Sequence, residues 1–259
     1  MYYYGARYYD PRISIFVSVD PLAEKYPSVS SYVYCLNNPI LFVDPDGRDI
    51  VFAETVRKDG TRVITMTVTG KVINDSSKSI SAEMMKSYAE RMSGGIKKSF
   101  ESASGEKFEV NVITNITVAS SDSDLTSTDT AFRITDFDKI PDGEGGYNTD
   151  SNLGGRGFFG ENVMYINEGI LNNQPATDGF FKDRAANNGA AILERISSHE
   201  LGHNGNLDHP DDPNSNPGNL MHQSKNFKNM GNKVTKEQLL QMKNDFDNGK
   251  LNGGIQKVD

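Results

Sequence analysis

Cysteine is nearly absent from this chain. Cys35 is the single thiol among 259 residues, so no internal disulfide and no cysteine zinc cluster can form. Positive charge is in deficit. The 27 lysines and arginines stand against 35 aspartates and glutamates, a net charge of −8, which argues against a surface made to neutralise nucleic-acid phosphates or anionic lipid. No run approaches eighteen consecutive apolar residues, so nothing here reads as a membrane span. The opening MYYYGARYYDPR lacks the charged-then-apolar layout of a secretory signal. There is no serine nucleophile elbow and no phosphate loop. GEGGYN and GGRGFFG are rich in glycine but lack the lysine and helix context of a nucleotide site, and read as loops. What is present is a 36% hydrophobic composition, modest but sufficient for a core, in a chain long enough for one large domain with an appendage.

Composition changes near residue 48. Residues 1–48 are crowded with tyrosine and proline, and Asp-Pro occurs in them three times, at Asp10, Asp20 and Asp44, a turn-initiating pair each time. This segment reads as short strands and turns, too small to bury its aromatic side chains alone. The pattern then becomes a mixture of α and β. Residues 50–56 and 62–73 predict a β-hairpin around Lys58-Asp59-Gly60. Ser81 is placed to cap a helix over 82–103, where Met85, Tyr88, Met92 and Ile96 recur at helical spacing. FEVNVITNITV, 108–118, alternates apolar and polar residues and predicts a strand. Residues 120–157, rich in Ser, Asp and Gly, predict loop with a short strand over 131–134, and NVMYIN, 162–167, predicts another strand. Near the C-terminus Thr235 is placed to cap a helix that turns Leu239, Leu240, Met242 and Phe246 inward.

All four histidines, His199, His203, His209 and His222, fall in one short window. From Ala190 the chain reads as helix, and Ile192, Ile196, His199 and His203 share one face of it. Two imidazoles one turn apart can aim at a single point about 2 Å from each nitrogen, as zinc requires. Glu200 points about 100° around the helix from His199, so it flanks a metal instead of joining it, placed to take a proton from water there. Gly205-Asn206 is a helix stop, since both residues tolerate the left-handed conformation, and the stop lets His209 fold back as a third ligand. Three histidines leave a fourth zinc position open, the mark of a catalytic site rather than a structural one. Asp208, Asp211 and Asp212 are alternatives as third ligand, or solvated loop residues, or groups that orient a ligand. His222 reads as a turn histidine, a substitute ligand or a hydrogen-bond donor to a transition state.

HELGHNGNLDH (199–209) resembles the metzincin signature HExxHxxGxxH, with Asn206 where glycine is most frequent. NPGNLMHQS (216–224) resembles the methionine turn of that family. The resemblance implies an α+β fold: a mixed sheet, an active-site helix, a methionine turn and a C-terminal helix over 81–259, preceded by a hairpin junction over 49–80. It implies His199, His203 and His209 as zinc ligands, Glu200 as general base, Met221 as the apolar floor, and a protein or peptide substrate. It also implies that Val163, Met164, Tyr165 and Ile166 form the edge strand that pairs with the substrate backbone. Gln223 stands where some members place an additional tyrosine ligand.

GARYYDP (5–11), SVDPL (18–22), NNP (37–39) and DPDG (44–47) resemble the RHS repeat-associated core motif. Residues 1–48 would then be the C-terminal end of an RHS core, and the chain beyond DPDG would be its cargo. The resemblance implies a bacterial polymorphic toxin, made in the cytoplasm, exported by a specialised secretion system into target cells and neutralised at home by an immunity protein. Asp20 and Asp44 match an aspartate pair with which RHS cores release their cargo by self-cleavage, a role that two carboxylates sharing a proton can perform. The alternative at both positions is an ordinary Asp-Pro turn. Two functions therefore stand side by side: a zinc endopeptidase toxin, and a zinc-containing binding module that acts by occluding a target. The presence of Glu200 favours the first, because a module without catalysis has no need of it.

Overall fold

The computed structural model describes residues 2–3, 8–10, 12–13, 15–17, 32, 50–126, 129–151, 153–171, 189–210, 218–222 and 231–251. Asp20 and Asp44, and with them the aspartate pair, lie outside the described residues, as do Asp211 and Asp212. In the tyrosine-rich segment three short strands, β1 (Tyr2–Tyr3), β2 (Tyr8–Asp10) and β3 (Ile15–Phe16), pair antiparallel in sequence order. The Asp10 carboxylate holds the turn between β2 and β3 by accepting from the Arg12 backbone N–H at 3.0 Å and from its guanidinium at 2.6 Å.

Residues 50–167 build a six-stranded mixed sheet. The hairpin β4 (Ile50–Val56) and β5 (Arg62–Asn74) forms as the pattern predicts, with Ile50 paired to Val68 and Val56 to Arg62. Strand β5 is thirteen residues long, and its length lets it serve three partners. One side carries β6 (Phe108–Val118), parallel throughout. The other side is shared, first with β4 and then, from Gly70 onward, with β7 (Thr130–Thr135) in parallel. Next come β9 (Val163–Asn167), parallel to β7, and β8 (Gly155–Gly157), antiparallel to β9. The metzincin resemblance implies that the outer strand is Val163–Ile166; the structure corrects this by one strand. Met164, Tyr165 and Ile166 are paired on both sides, all four residues are buried, and among the described strands β8 is the outer one at this end of the sheet. The segment GGRGFFG is thus part strand, not all loop.

Helix α1 (Ala82–Glu101) starts where Ser81 caps it, its hydroxyl accepting from Met84 N–H at 3.2 Å. It buries Met85, Tyr88, Met92, Ile96 and Phe100 against β5, β6 and helix α2 (Gly189–Asn204). Helix α3 (Lys236–Asp247) is capped by Thr235 through a reciprocal pair with Gln238. Leu239 and Met242 are fully buried, with Leu240 and Phe246 packed at the margin. The opposite face of β7 and β9 carries a smaller cluster of Ala131, Ile140, Val163 and Tyr165 covered by Leu125, Leu153 and Phe158. Arg133 is buried there between Asp75 and Asp122, each 2.5 Å away. Among the described residues no helix is long and apolar enough to cross a membrane.

Candidate metal centre

Helix α2 is not amphipathic in the sense its stripe suggests. From Leu193 to Asn204 every residue except the half-buried Glu194 is buried, polar residues included. Such a helix must satisfy its polar side chains internally. Ser197 and Ser198 bond back to the carbonyls of Leu193 and Glu194, at 2.9 and 2.7 Å. Asn204 donates to the carbonyls of Phe158 and Val163, tying the helix end to β9 and to the turn before it.

The helix ends as the sequence predicts. Asn206 sits at φ +63°, left-handed, and Leu207 N–H returns to the Gly202 carbonyl at 2.9 Å. Asparagine accepts this conformation better than other residues with a side chain. Asn206→Ala is therefore expected to lower unfolding free energy by about 1–2 kcal/mol, and Asn206→Gly to be close to neutral, as read from urea unfolding curves.

The reversal brings His209 back to the helix. Its Nε2 lies 3.2 Å from His199 Nε2 and 3.1 Å from His203 Nε2, and the three ligand atoms lie within 4.8 Å of one another. The remaining ring nitrogens of the helical pair are fixed. His199 Nδ1 donates to the Leu220 carbonyl and His203 Nδ1 to the Leu207 carbonyl, both at 2.8 Å. A carbonyl can only accept, so both Nδ1 atoms carry the proton and both Nε2 atoms present lone pairs. His209 Nε2 has at most one proton to offer and faces two such lone pairs. A cation between the three rings satisfies all of them. Zinc–nitrogen bonds of about 2.0–2.1 Å at tetrahedral angles place nitrogens roughly 3.3 Å apart, which both separations from His209 match, so three neutral imidazoles here suit zinc.

Burial drives the electrostatics. It pushes His203 down to about 4, holds His199 well below the usual histidine range and lowers His209, with neighbouring positive charge adding to each. Burial also raises the Glu200 carboxyl to about 7, against the Gly157 N–H and the Arg195 and Arg156 charges that favour its ionised form. Glu200 Oε2 accepts from Gly157 N–H at 2.7 Å. A side chain at Gly157 would put Cβ 2.2 Å from the Glu200 carbonyl oxygen, so glycine is what lets the outer strand lie directly on the helix. Phe159, 56% exposed, sets its ring edge-to-face with His203 at 5.5 Å between centroids, an aromatic wall on the solvent side of the triad.

Met221 is fully buried beneath the helix, with a Cβ at Gly202 coming within 2.5 Å of its sulfur. The turn around it closes through His222 N–H to the Asn219 carbonyl at 3.2 Å. His222 is in this turn and buried, its Nδ1 without a hydrogen-bond partner among the described residues, and it is not one of the converging nitrogens. Asp208 is exposed and bonds the His209 backbone N–H at 2.7 Å, so it shapes the loop that presents His209. Two participants escape a reading of the motif, the Leu207 and Leu220 carbonyls, which leave no trace in side-chain pattern; Arg195, which donates to the same Leu220 carbonyl at 3.0 Å, is also not singled out by it. The signal for Arg195 is its spacing, one helical turn before His199 on a buried helix.

No family model matches the chain, and no curated protein matches it in sequence. Among solved structures the chain is similar to the crystal structure of archaemetzincin from Methanopyrus kandleri, with 11% identity and a TM-score of 0.40, over 69% of this chain and 96% of that one.

Proposed function

We propose that the chain is a zinc-dependent endopeptidase of metzincin type, carried as the C-terminal toxin of an RHS-type protein. The observation that carries the peptidase reading is the convergence of three imidazole Nε2 atoms, two with fixed tautomers, next to a buried carboxyl poised near neutrality. His199, His203 and His209 would hold the metal. Zinc bound there supplies a Lewis acid and an open position. The chain's own residues do the rest. Glu200 would take a proton from the attacking water at a carboxylate oxygen and pass it on to the amine that leaves as the peptide C–N bond breaks. Gly157 N–H keeps the carboxylate oriented, and the buried helix keeps water away from all but one side. The outer strand β8, in place of Val163–Ile166, would then be the strand that an extended peptide meets, with its Gly157 N–H already given to Glu200.

The toxin reading is supported by the quoted RHS-like motifs alone. Expression inside a bacterial host is expected to arrest growth for the wild type, and growth is expected to be normal with Glu200→Gln. Arrest that survives Glu200→Gln but is lost with His199→Ala would favour the occluding module.

Acid should release the metal. Ligation needs neutral imidazoles, and a lowered pKa extends the neutral form to lower pH. Zinc is therefore expected to stay bound near pH 6.5, where an ordinary histidine titrates, and to be lost as pH falls through the region of about 4 where His203 titrates. Zinc captured by a chromophoric chelator along a pH series checks this; full retention well below that range would speak against three histidine ligands.

A further inference from the structure

We infer that Arg195 is a positioning residue for the metal centre, holding His199 in its ligating tautomer through the Leu220 carbonyl. Arg195 precedes His199 by four residues, so both side chains leave the same face of α2, toward the methionine turn. Its guanidinium is buried and gathers three backbone carbonyls. Nε donates to Gly231 at 2.8 Å, and Nη2 donates to Leu220 and to His222, both at 3.0 Å. Among the described residues these hydrogen bonds of the guanidinium all go to backbone oxygen, so a full positive charge is held by carbonyl dipoles.

The Leu220 oxygen is the shared atom. It accepts from Arg195 Nη2 and from His199 Nδ1, using both lone pairs. Leu220 is fixed from its other end by its own N–H to the Lys233 carbonyl at 2.7 Å. The planar fork of arginine thus clamps Leu220, His222 and Gly231 into one rigid acceptor array under the helix, and His199 reads one element of that array. Outer partners of this kind set ligand orientation and metal affinity. A lysine, a single ammonium on a flexible stem, keeps the charge and cannot reproduce the fork.

The inference rests on the triad as a metal centre, not on peptidase activity. Three full-length variants are compared: Arg195→Lys, Arg195→Met and Arg91→Met. The last removes the ion pair of Arg91 with Glu194 on the same helix, away from the turn. Zinc affinity is measured by competition with a chromophoric chelator. The His199 tautomer is measured in the metal-free protein by ring nitrogen shifts, at temperatures where circular dichroism shows the variant folded. Arg195→Lys is expected to lower zinc affinity about tenfold to hundredfold and to mix the two His199 tautomers. Arg91→Met is expected to lower the melting temperature and leave affinity and tautomer unchanged. Wild-type affinity and tautomer in folded Arg195→Lys would overturn the inference. So would an equal affinity loss in Arg91→Met, or failure of both Arg195 variants to fold at any temperature, since those are the marks of a merely structural residue. A wild type that binds no zinc would instead end the metal-centre reading, while the tautomer measurement still decides the clamp.

Discussion

Glu200→Gln is expected to keep its zinc and to lose about 10²–10⁴-fold in hydrolysis of an unfolded protein such as casein, the range a positioned general base contributes. The substitution is nearly isosteric, and a glutamine oxygen can still accept from Gly157 N–H, now 2.7 Å from Oε2. Fold and triad should therefore persist, as circular dichroism and zinc content will report. What disappears is the basic oxygen. In the wild type, burial lifts this carboxyl to about 7, so at neutral pH it can both take and release a proton; an amide can do neither. Undiminished hydrolysis in the variant would remove Glu200 from the chemistry.

His199→Ala is expected to abolish stoichiometric zinc binding and, with it, hydrolysis. If the roughly 10–16 kcal/mol of a structural zinc site is shared over four ligands, one ligand carries about 3 kcal/mol, or two orders of magnitude in affinity. The substitution also removes the Nδ1 hydrogen bond to the Leu220 carbonyl at 2.8 Å and leaves that oxygen with the Arg195 donor, so some fold stability is lost alongside the affinity. Zinc should raise the melting temperature of the wild type and leave that of the variant unmoved, since a ligand stabilises only the fold that binds it. A zinc-dependent rise of equal size in His199→Ala would show that the metal sits elsewhere.

Much of this was legible wherever a side chain reports its own environment. The caps at Ser81 and Thr235, the alternation of β6 and the Gly205-Asn206 stop each encode a local backbone choice, and the structure realises them. The histidine spacing encodes a common focus because helix pitch is fixed, and His209 arrives at it through the left-handed Asn206. The failures share a cause. Gly155–Gly157 has no alternating side chains, so nothing local marks it as a strand. Its conformation comes from pairing with β9 and from lying on the Glu200 backbone, both tertiary facts. The edge role of Val163–Ile166 is implied by the resemblance alone, and only the pairing with β8 on the second side removes it. Burial on every side of α2 from Leu193 onward also removes the contrast between faces by which Arg195, one turn before His199, would stand out in the sequence.

The proposed metal centre is three imidazoles around one catalytic zinc. It is tested most directly by metal analysis of the purified full-length chain after loading with excess zinc and exhaustive dialysis, beside a His199→Ala/His203→Ala double variant. The geometry predicts about one zinc per wild-type chain and none in the double variant, from a three-histidine site with a single focus. A wild-type chain that retains no zinc, or a double variant that retains it equally, would contradict the account.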